Sequence, residues 1–406
     1  MEYEFLLERV PERLSGITEF RTVGVKPLGR LAVGYGLAKE AGEEVAKFCQ
    51  GGKVLLVSDK TMVALGTEKV VSDSIRDAGL EVVLFDDVEP EPHLSTCRRV
   101  QDAVRSDRFE AVVGLGGGSP MDMAKTAAVT GTNTGDIKDY LTGEPFEREG
   151  LPCILMPTTS GTGSEVSPYI VASEKDRKLF VGNPYVYGTV ALVDPLLTVT
   201  MPPKVTAATG LDALSHGMEG MIGKTVPVTE ALTSKCVEYV FTYLPKAVEN
   251  GMDLDARYYM SFASVFGMMS YTQGGGLYAH SMSYILTLEG GHAHGLGCGL
   301  ALPYTFMFNF ESMKESLVKL APVVAPNAAG SDDEVAEKVV SEFKSLVESV
   351  GMPSSLKDLG IEESRIGEYA KQLVETYYRV KNPRPMSSEE AARFVRSMWD
   401  GTLVRI

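Results

Sequence analysis

Cations are in the minority in this sequence. Lys and Arg number 39 against 54 Asp and Glu, a formal net charge of −15. Such a chain repels phosphate backbones and anionic lipid, so no nucleic-acid and no membrane-surface partner is expected. A small anionic substrate stays open, because local charge can oppose the global sign. Cysteine is scarce: Cys49, Cys97, Cys153, Cys236 and Cys298 are scattered, odd in number and without Cys-x-x-Cys spacing. That pattern excludes a disulfide framework and reads as reduced thiols in the cytoplasm. No run of 18 apolar residues occurs, so no segment reads as a bilayer span. Residues 1–20 carry Glu2, Glu4, Glu8, Arg9, Glu12 and Arg13 and lack the apolar stretch of a signal peptide. What remains is ordinary for a folded chain, with 44% hydrophobic and 23% charged residues, which excludes disordered and collagen-like classes. A length of 406 residues calls for two or three compact units.

Two patterns divide the chain. Short apolar runs at Lys53–Asp59, Glu81–Phe85, Glu110–Leu115 and Cys153–Met156 alternate with amphipathic stretches at Ala38–Phe48, Thr67–Ala78 and Ser95–Ser106. Continuous apolar runs of that length suit parallel strands covered on both faces, and the alternation predicts βαβ units in a doubly wound sheet. From Lys204 onward the apolar residues recur at three and four, as in Ala231–Tyr243, Ala256–Tyr271, Ser312–Ala321 and Asp333–Val350, which predicts helices. Met260, Met268 and Met269 within these read as core. Prolines from Asp194-Pro195 to Pro202-Pro203 mark the join. The expected organisation is an α/β domain over 1–200, with residues 1–30 as an unplaced leader, and an all-α domain over 201–406. A cleft between two such domains is the usual place for chemistry.

The sharpest local signal in the first half is Gly114-Leu-Gly-Gly-Gly-Ser-Pro-Met-Asp-Met-Ala-Lys125, directly after an expected strand. Ser119 suits an N-cap and Pro120 the first helical position. Backbone N–H groups at a helix N-terminus, unobstructed by Cβ atoms, can hold a pyrophosphate. The plainer alternative is a tight turn. The turn lacks the Gly-Lys-Ser/Thr of a P-loop, and it follows a later strand than the usual dinucleotide fingerprint. Asp59 ends an earlier strand, where an acid can accept from a ribose 2′-hydroxyl and repel a 2′-phosphate, favouring NAD over NADP; an ordinary helix cap is the alternative. Pro157-Thr-Thr-Ser-Gly-Thr-Gly-Ser-Glu165 is a second small-residue loop after a strand, rich in hydroxyl donors.

Histidine is as scarce as cysteine, yet four of the five (His216, His280, His292, His294; the fifth is His93) fall within one stretch. Asp212 and His216 lie four apart in an expected helix and so share a face. Gly290-Gly291 should break the helix that carries His280 and let the chain fold back. One carboxylate and three imidazoles make a four-ligand set for Fe(II), Zn or Co(II). His292 and His294 cannot share a helix face, and spacing does not choose between them.

Taken together and in order, Gly-Gly-Gly-Ser-x-x-Asp-x-x-Lys, Pro-Thr-Thr-x-Gly-Thr-Gly-Ser-Glu, Gly-x-Asp-Ala-x-x-His-x-x-Glu and the late His…His-Gly resemble the iron-containing (group III) alcohol dehydrogenases. The resemblance runs from about Leu31 to the end and includes Asn382-Pro-Arg-Pro with the helix to Gly401. It implies the dehydroquinate synthase-like, iron-type alcohol dehydrogenase fold: a mostly parallel, doubly wound dinucleotide-binding domain followed by an all-α metal-binding domain. It implies cofactor contacts at Asp59, Gly116, Gly117, Gly118, Ser119 and Asp122, with Thr158, Thr159 and Thr162 towards the nicotinamide. It carries the metal ligands onto Asp212, His216, His280 and His294, with Fe2+ as the ion, Zn2+ as its substitute, and NAD before NADP. The family often forms homodimers.

One position departs. Members commonly place a second histidine four residues after the third ligand, followed by proline; here Tyr284 and Ile285 stand there. A tyrosine is similar to the phosphonoacetaldehyde-reductase branch, which acts on a small anionic aldehyde. Tyr284 and His292 are therefore the candidate proton-relay residues. The expected activity is hydride transfer between nicotinamide and a small primary alcohol or aldehyde. The alternatives are a specialised reductase of an anionic aldehyde and a dehydroquinate-synthase-type lyase.

Overall fold

The structure is a computed structural model that describes residues 3–11, 18–21, 29–175, 177–221 and 227–406. Much of the expected leader (residues 1–2, 12–17 and 22–28) lies outside the described residues. The chain separates into two compact units, Met1–Met201 and Pro202–Ile406.

The first unit is built on a seven-stranded sheet. Its strands are β1 (Thr18–Arg21), β2 (Arg30–Val33), β3 (Lys53–Val57), β4 (Glu81–Phe85), β5 (Phe109–Gly116), β6 (Cys153–Pro157) and β9 (Val190–Val193), and β7 (Tyr169–Glu174) with β8 (Arg177–Gly182) forms a separate antiparallel hairpin. The order is β1-β2-β9-β6-β5-β3-β4; β1 runs antiparallel to β2 and the other six strands are parallel. Among the described residues seven α-helices accompany them: α1 (Tyr3–Leu7), α2 (Ala41–Ala46), α3 (Lys60–Ala64), α4 (Thr67–Asp77), α5 (Leu94–Arg105), α6 (Gly118–Thr130) and α7 (Ile137–Leu141).

Strand pleating explains why the apolar runs are continuous. Val54 and Leu56 of β3 face one core with Val45 of α2 and Val71 and Ile75 of α4. Leu55 and Val57 face the opposite core with Val100 and Val104 of α5 and Ala124 and Ala127 of α6. Both sheet faces are buried, so every position must be apolar. The exception is β4, the sheet edge, where Glu81 and Leu84 are exposed.

The second unit contains nine helices among the described residues: α8 (Pro203–Gly220), α9 (Pro227–Glu249), α10 (Leu254–Gly274), α11 (Tyr278–Gly290), α12 (His294–Phe308), α13 (Phe310–Val324), α14 (Asp332–Ser349), α15 (Ile366–Glu375) and α16 (Ser388–Asp400). Helix α8 is buried along most of its length. Its Leu211, Leu214 and Met218 share one core with Val237, Val240 and Leu244 of α9, Met260 of α10 and Leu300 of α12. No described helix is long and apolar enough to cross a membrane.

Candidate metal centre and glycine turn

Within the first unit, Asp59, Gly116 and Thr158 follow or close the C-terminal ends of the adjacent parallel strands β3, β5 and β6. The Ser58 hydroxyl donates to Leu115 O at 2.9 Å, and Thr158 N donates to Gly116 O at 2.9 Å, so the three ends are tied together. Gly116 has φ +151°, and a Cβ there would stand 2.5 Å from Pro120 Cγ. Only glycine turns the chain from β5 into α6 at this point.

Helix α6 begins at Gly118 with Gly117 as its N-cap and no side-chain cap. The expectation for Ser119 is thus corrected: it lies inside the first turn, and its hydroxyl accepts from Glu91 N at 3.2 Å. The physical reason is that Gly117 takes the extended cap conformation itself, which places the cap two residues before Ser119 and starts the helix at Gly118. Thr159 and Thr162 lie beside the turn, 3.5 Å and 3.1 Å from where Cβ atoms of Gly117 and Gly118 would be. Thr159 Oγ1 is buried without a hydrogen-bond partner. Asp59 caps α3, accepting from Thr61 N and Met62 N through Oδ1, while Oδ2 lies 3.3 Å from the Cβ position of Gly116. The cap and a position beside the turn coexist. Asp122 is different. Its Oδ1 accepts from Lys125 Nζ and Ser164 Oγ, and its Oδ2 from Val171 N. Both oxygens serve protein donors, so Asp122 braces the second loop.

The second unit gathers its donors around one carboxylate oxygen. Asp212 Oδ1 lies 3.9 Å from His216 Nε2, 3.9 Å from His280 Nε2 and 3.8 Å from His294 Nε2. Two of these residues come from α8, one from α11 and one from the first residue of α12. Helix α11 stops at Gly291, a left-handed cap with φ +64°, and the chain returns through His292 and Ala293. The next residue after His294 makes the approach possible: a Cβ on Gly295 would stand 2.0 Å from Ala208 O and 3.0 Å from Asp212 Cβ.

Neighbouring side chains set each imidazole. Glu219, fully buried one turn beyond His216, accepts from the backbone N–H of Leu277 and of His280 (3.2 Å), and its Oε2 lies 3.0 Å from His280 Nδ1. It caps the start of α11 and turns His280 Nε2 towards Asp212. Burial pushes the Glu219 carboxyl up to about 7. Burial, together with His216 and His294, holds His280 well below the ordinary histidine range, which keeps it in the neutral form that binds metals. Ser283 Oγ donates to His294 O at 2.7 Å and lies 2.7 Å from His294 Nδ1. A hydroxyl has one hydrogen, so Nδ1 donates to it, and the lone pair falls on Nε2, facing Asp212.

The set fits a cation. Asp212 Oδ1 and His280 Nε2 are buried and have no hydrogen-bond partner. Separations of 3.8–3.9 Å are too long for hydrogen bonds. Two donors each about 2.0–2.2 Å from a shared ion stand up to about 4 Å apart. Asp212 itself is held below the ordinary carboxylate range: burial alone would raise it, and His216, His294 and His280 together outweigh burial.

Tyr284 stacks on His294, ring centroids 5.5 Å apart, with the Arg379 guanidinium 5.3 Å from its ring centre. Burial raises its phenol above the ordinary tyrosine range against the opposing charge of Arg379, so it holds its proton at neutral pH. His292 instead packs against Gly290 and is not among the gathered donors. Sequence reasoning had Glu219 only as the end of a motif and gave it no role, and it gave none to Ser283, Cys298 or Arg379. Three of them carried a signal for a role at the site: Glu219 lies seven residues after Asp212, Ser283 three after His280 and Cys298 four after His294, all helix-face spacings. Arg379 comes from a distant segment and had none.

Comparison with known proteins agrees with this architecture. Residues 29–195 match the family "Iron-containing alcohol dehydrogenase", and residues 206–399 match "Fe-containing alcohol dehydrogenase family, C-terminal". Long-chain-alcohol dehydrogenase 1 of Geobacillus thermodenitrificans (strain NG80-2) is 34% identical over 92% of this chain and 95% of its own. The NAD-dependent methanol dehydrogenase of Bacillus methanolicus is 31% identical over 90% of this chain and 97% of its own. A crystal structure of a 1,3-propanediol oxidoreductase superimposes with a TM-score of 0.86 at 30% identity, covering 90% of this chain and 97% of that one. The chain belongs to the iron-containing alcohol dehydrogenase family. It is an oxidoreductase of that family, which implies NAD(P) and a divalent metal.

Proposed function

We propose that this enzyme transfers hydride between NAD and a small primary alcohol or aldehyde, with Fe2+, or Zn2+ in its place, held by Asp212, His216, His280 and His294. The observation that carries the reading is the single buried carboxylate oxygen faced by three imidazole nitrogens. Family membership supports the dehydrogenase reading over the lyase. The position of Asp59 beside the glycine turn supports NAD over NADP. The reading extends to a cytoplasmic homodimer, on the resemblance stated above.

When bound, the ion supplies Lewis acidity towards an alcohol or carbonyl oxygen, and the nicotinamide supplies the hydride. The rest falls to the chain. Gly116, Gly117 and Gly118 leave the first turn of α6 open to a pyrophosphate, with Thr159 and Thr162 alongside. Glu219 and Ser283 keep Nε2 of His280 and His294 turned inward. Tyr284, whose ring stacks on His294, holds its phenol proton and would deliver it to the substrate oxygen; it lies against the donor cluster, which His292 does not join.

A second reading has one specific support. Arg379 Nη2 is buried without a hydrogen-bond partner, next to Tyr284, so a cationic donor is available to an anionic aldehyde. Anaerobically purified, Fe(II)-loaded protein should oxidise NADH with a panel of acetaldehyde, lactaldehyde, butyraldehyde, succinic semialdehyde and phosphonoacetaldehyde. Turnover of the neutral aldehydes supports the general enzyme. Turnover confined to the anionic ones supports the specialised reductase. Silence with metal and NADH both bound defeats both. In the same assay Tyr284→Phe should lower kcat about a hundredfold with little change in KM; full activity with an unchanged pH profile removes the tyrosine from the relay.

A further inference from the structure

Cys298 lies one turn after His294 on α12, repeating the four-residue spacing of Asp212 and His216 on α8. It is completely buried. Donor atoms of Asp212, His280, His294 and Cys298 all lie within 4.8 Å of one another, and Cys298 Sγ is 3.7 Å from His294 Nε2. A packing thiol looks different here. Cys236 is equally buried, but its Sγ donates to Ala213 O at 3.3 Å on the side where α8 meets α10. Cys298 faces nitrogen and oxygen donors, two of which, Asp212 Oδ1 and His280 Nε2, are buried and unpartnered and point at the same space.

From this geometry we propose that Cys298 is a direct sulfur ligand of the divalent ion, in addition to the carboxylate and imidazoles. The inference rests on the metal-centre reading above. With a metal–sulfur bond of about 2.3 Å, a metal–nitrogen bond of about 2.0–2.1 Å and the angles of about 90–120° found around a five-coordinate ion, sulfur and nitrogen stand roughly 3.1–3.8 Å apart. The separation of 3.7 Å needs little adjustment. On coordination the S–H bond is replaced by a sulfur–metal bond, and the proton leaves to solvent. A thiolate in a set otherwise of nitrogen and oxygen draws the site towards zinc and cobalt and away from hard cations such as magnesium and manganese.

Cobalt tests this, because a thiolate bound to Co(II) gives an intense near-ultraviolet charge-transfer band that carboxylate and imidazole do not. The full-length protein is stripped of metal, titrated with Co(II) and followed by absorption. One bound Co(II) with that band in the wild type, and its loss with at least tenfold weaker Co(II) binding in Cys298→Ser, is the expected result. One bound Co(II) and no band overturns the sulfur ligand while leaving the metal centre intact. Failure to bind Co(II) at all overturns both readings. X-ray absorption of the zinc-loaded wild type guards against a variant that fails to fold. A sulfur scatterer at about 2.3 Å supports the proposal, and a shell of nitrogen and oxygen alone overturns it.

Discussion

The glycine turn of the first unit and the donor cluster of the second are built on opposite principles. The turn is made of backbone. Gly116, Gly117 and Gly118 contribute absence of side chain, and the acidic side chains nearby already accept from protein donors: Asp122 from Lys125, Ser164 and Val171, Asp59 from the start of α3. Thr159 Oγ1, buried beside it, has no hydrogen-bond partner. The cluster is made of side chains, and its central atoms are unsatisfied. A buried carboxylate oxygen faces imidazole nitrogens at distances no hydrogen bond spans. Leaving such groups unpaired in a protein interior costs about 1–3 kcal/mol each, more for a charge. The turn can stand without a ligand at little cost, whereas the cluster is stable only to the extent that a cation completes it. Ligand loss should therefore be felt unequally, and metal more than dinucleotide should set the stability of the protein.

The largest expected effect tests the cluster side. Asp212→Asn removes the shared anionic donor while keeping the shape. Metal content measured on the purified variant should fall from one equivalent to near zero. Activity should fall by about a thousandfold or more, since Lewis acidity contributes several kcal/mol to such reactions. Full metal occupancy in this variant would mean that the oxygen facing three imidazoles is not the centre of the site.

A smaller effect tests the turn. Gly116→Ala puts a Cβ 2.5 Å from Pro120 Cγ at a φ of +151°, a conformation that L side chains rarely adopt. About 1–3 kcal/mol of strain is expected. Calorimetry should show a lower Tm, and NADH titration a dissociation constant raised about tenfold with metal content unchanged. Loss of metal together with dinucleotide binding would break the comparison, because the two sites would no longer be independently built.

These two sites were not equally legible in the sequence. The sheet was readable because burial on both faces demands continuous apolar runs, as in β3, β5 and β6. Strands β2 and β9 escaped because four residues such as Arg30–Val33 carry too little pattern, and the β7–β8 hairpin because Tyr169–Glu174 is partly exposed and has no Asn-Gly or Asp-Gly turn. The start of α6 was misplaced because Ser119 and Pro120 are good capping residues in general, and the glycines before them had already made the cap. On the cluster side, helical spacing placed Asp212 with His216, and the same rule reaches Glu219 and Cys298. Spacing had nothing to say about His292 against His294, because that choice depends on where α11 stops and α12 starts. Nor could it find Arg379, whose approach to Tyr284 is decided by tertiary packing alone.

The smallest expected effect compares two buried acids. Asp212 is held below the ordinary carboxylate range by three imidazoles that outweigh its burial. Glu165, in the second loop of the first unit, is equally buried, and its Oε2 has no hydrogen-bond partner. Burial pushes its carboxyl from 4.5 up to about 7, against the pull of its own N–H and of Lys125. A group whose folded-state pKa is raised binds more protons folded than unfolded between those two values. Its contribution is fully present below about pH 4.5 and is lost as pH climbs through 7. Glu165→Gln keeps the neutral shape at every pH. The variant should match the wild type near pH 4.5 and become the more stable of the two above pH 7, by at most about 3 kcal/mol. Denaturant melts of both proteins across that range measure the difference directly, and every other titrating group cancels in it. Parallel curves would mean that folding does not raise the Glu165 carboxyl, so that it is ionised in the folded protein over most of this range. The first unit would then also hold an unpaired buried charge, and the contrast between a satisfied turn and an unsatisfied cluster would fail at its clearest point.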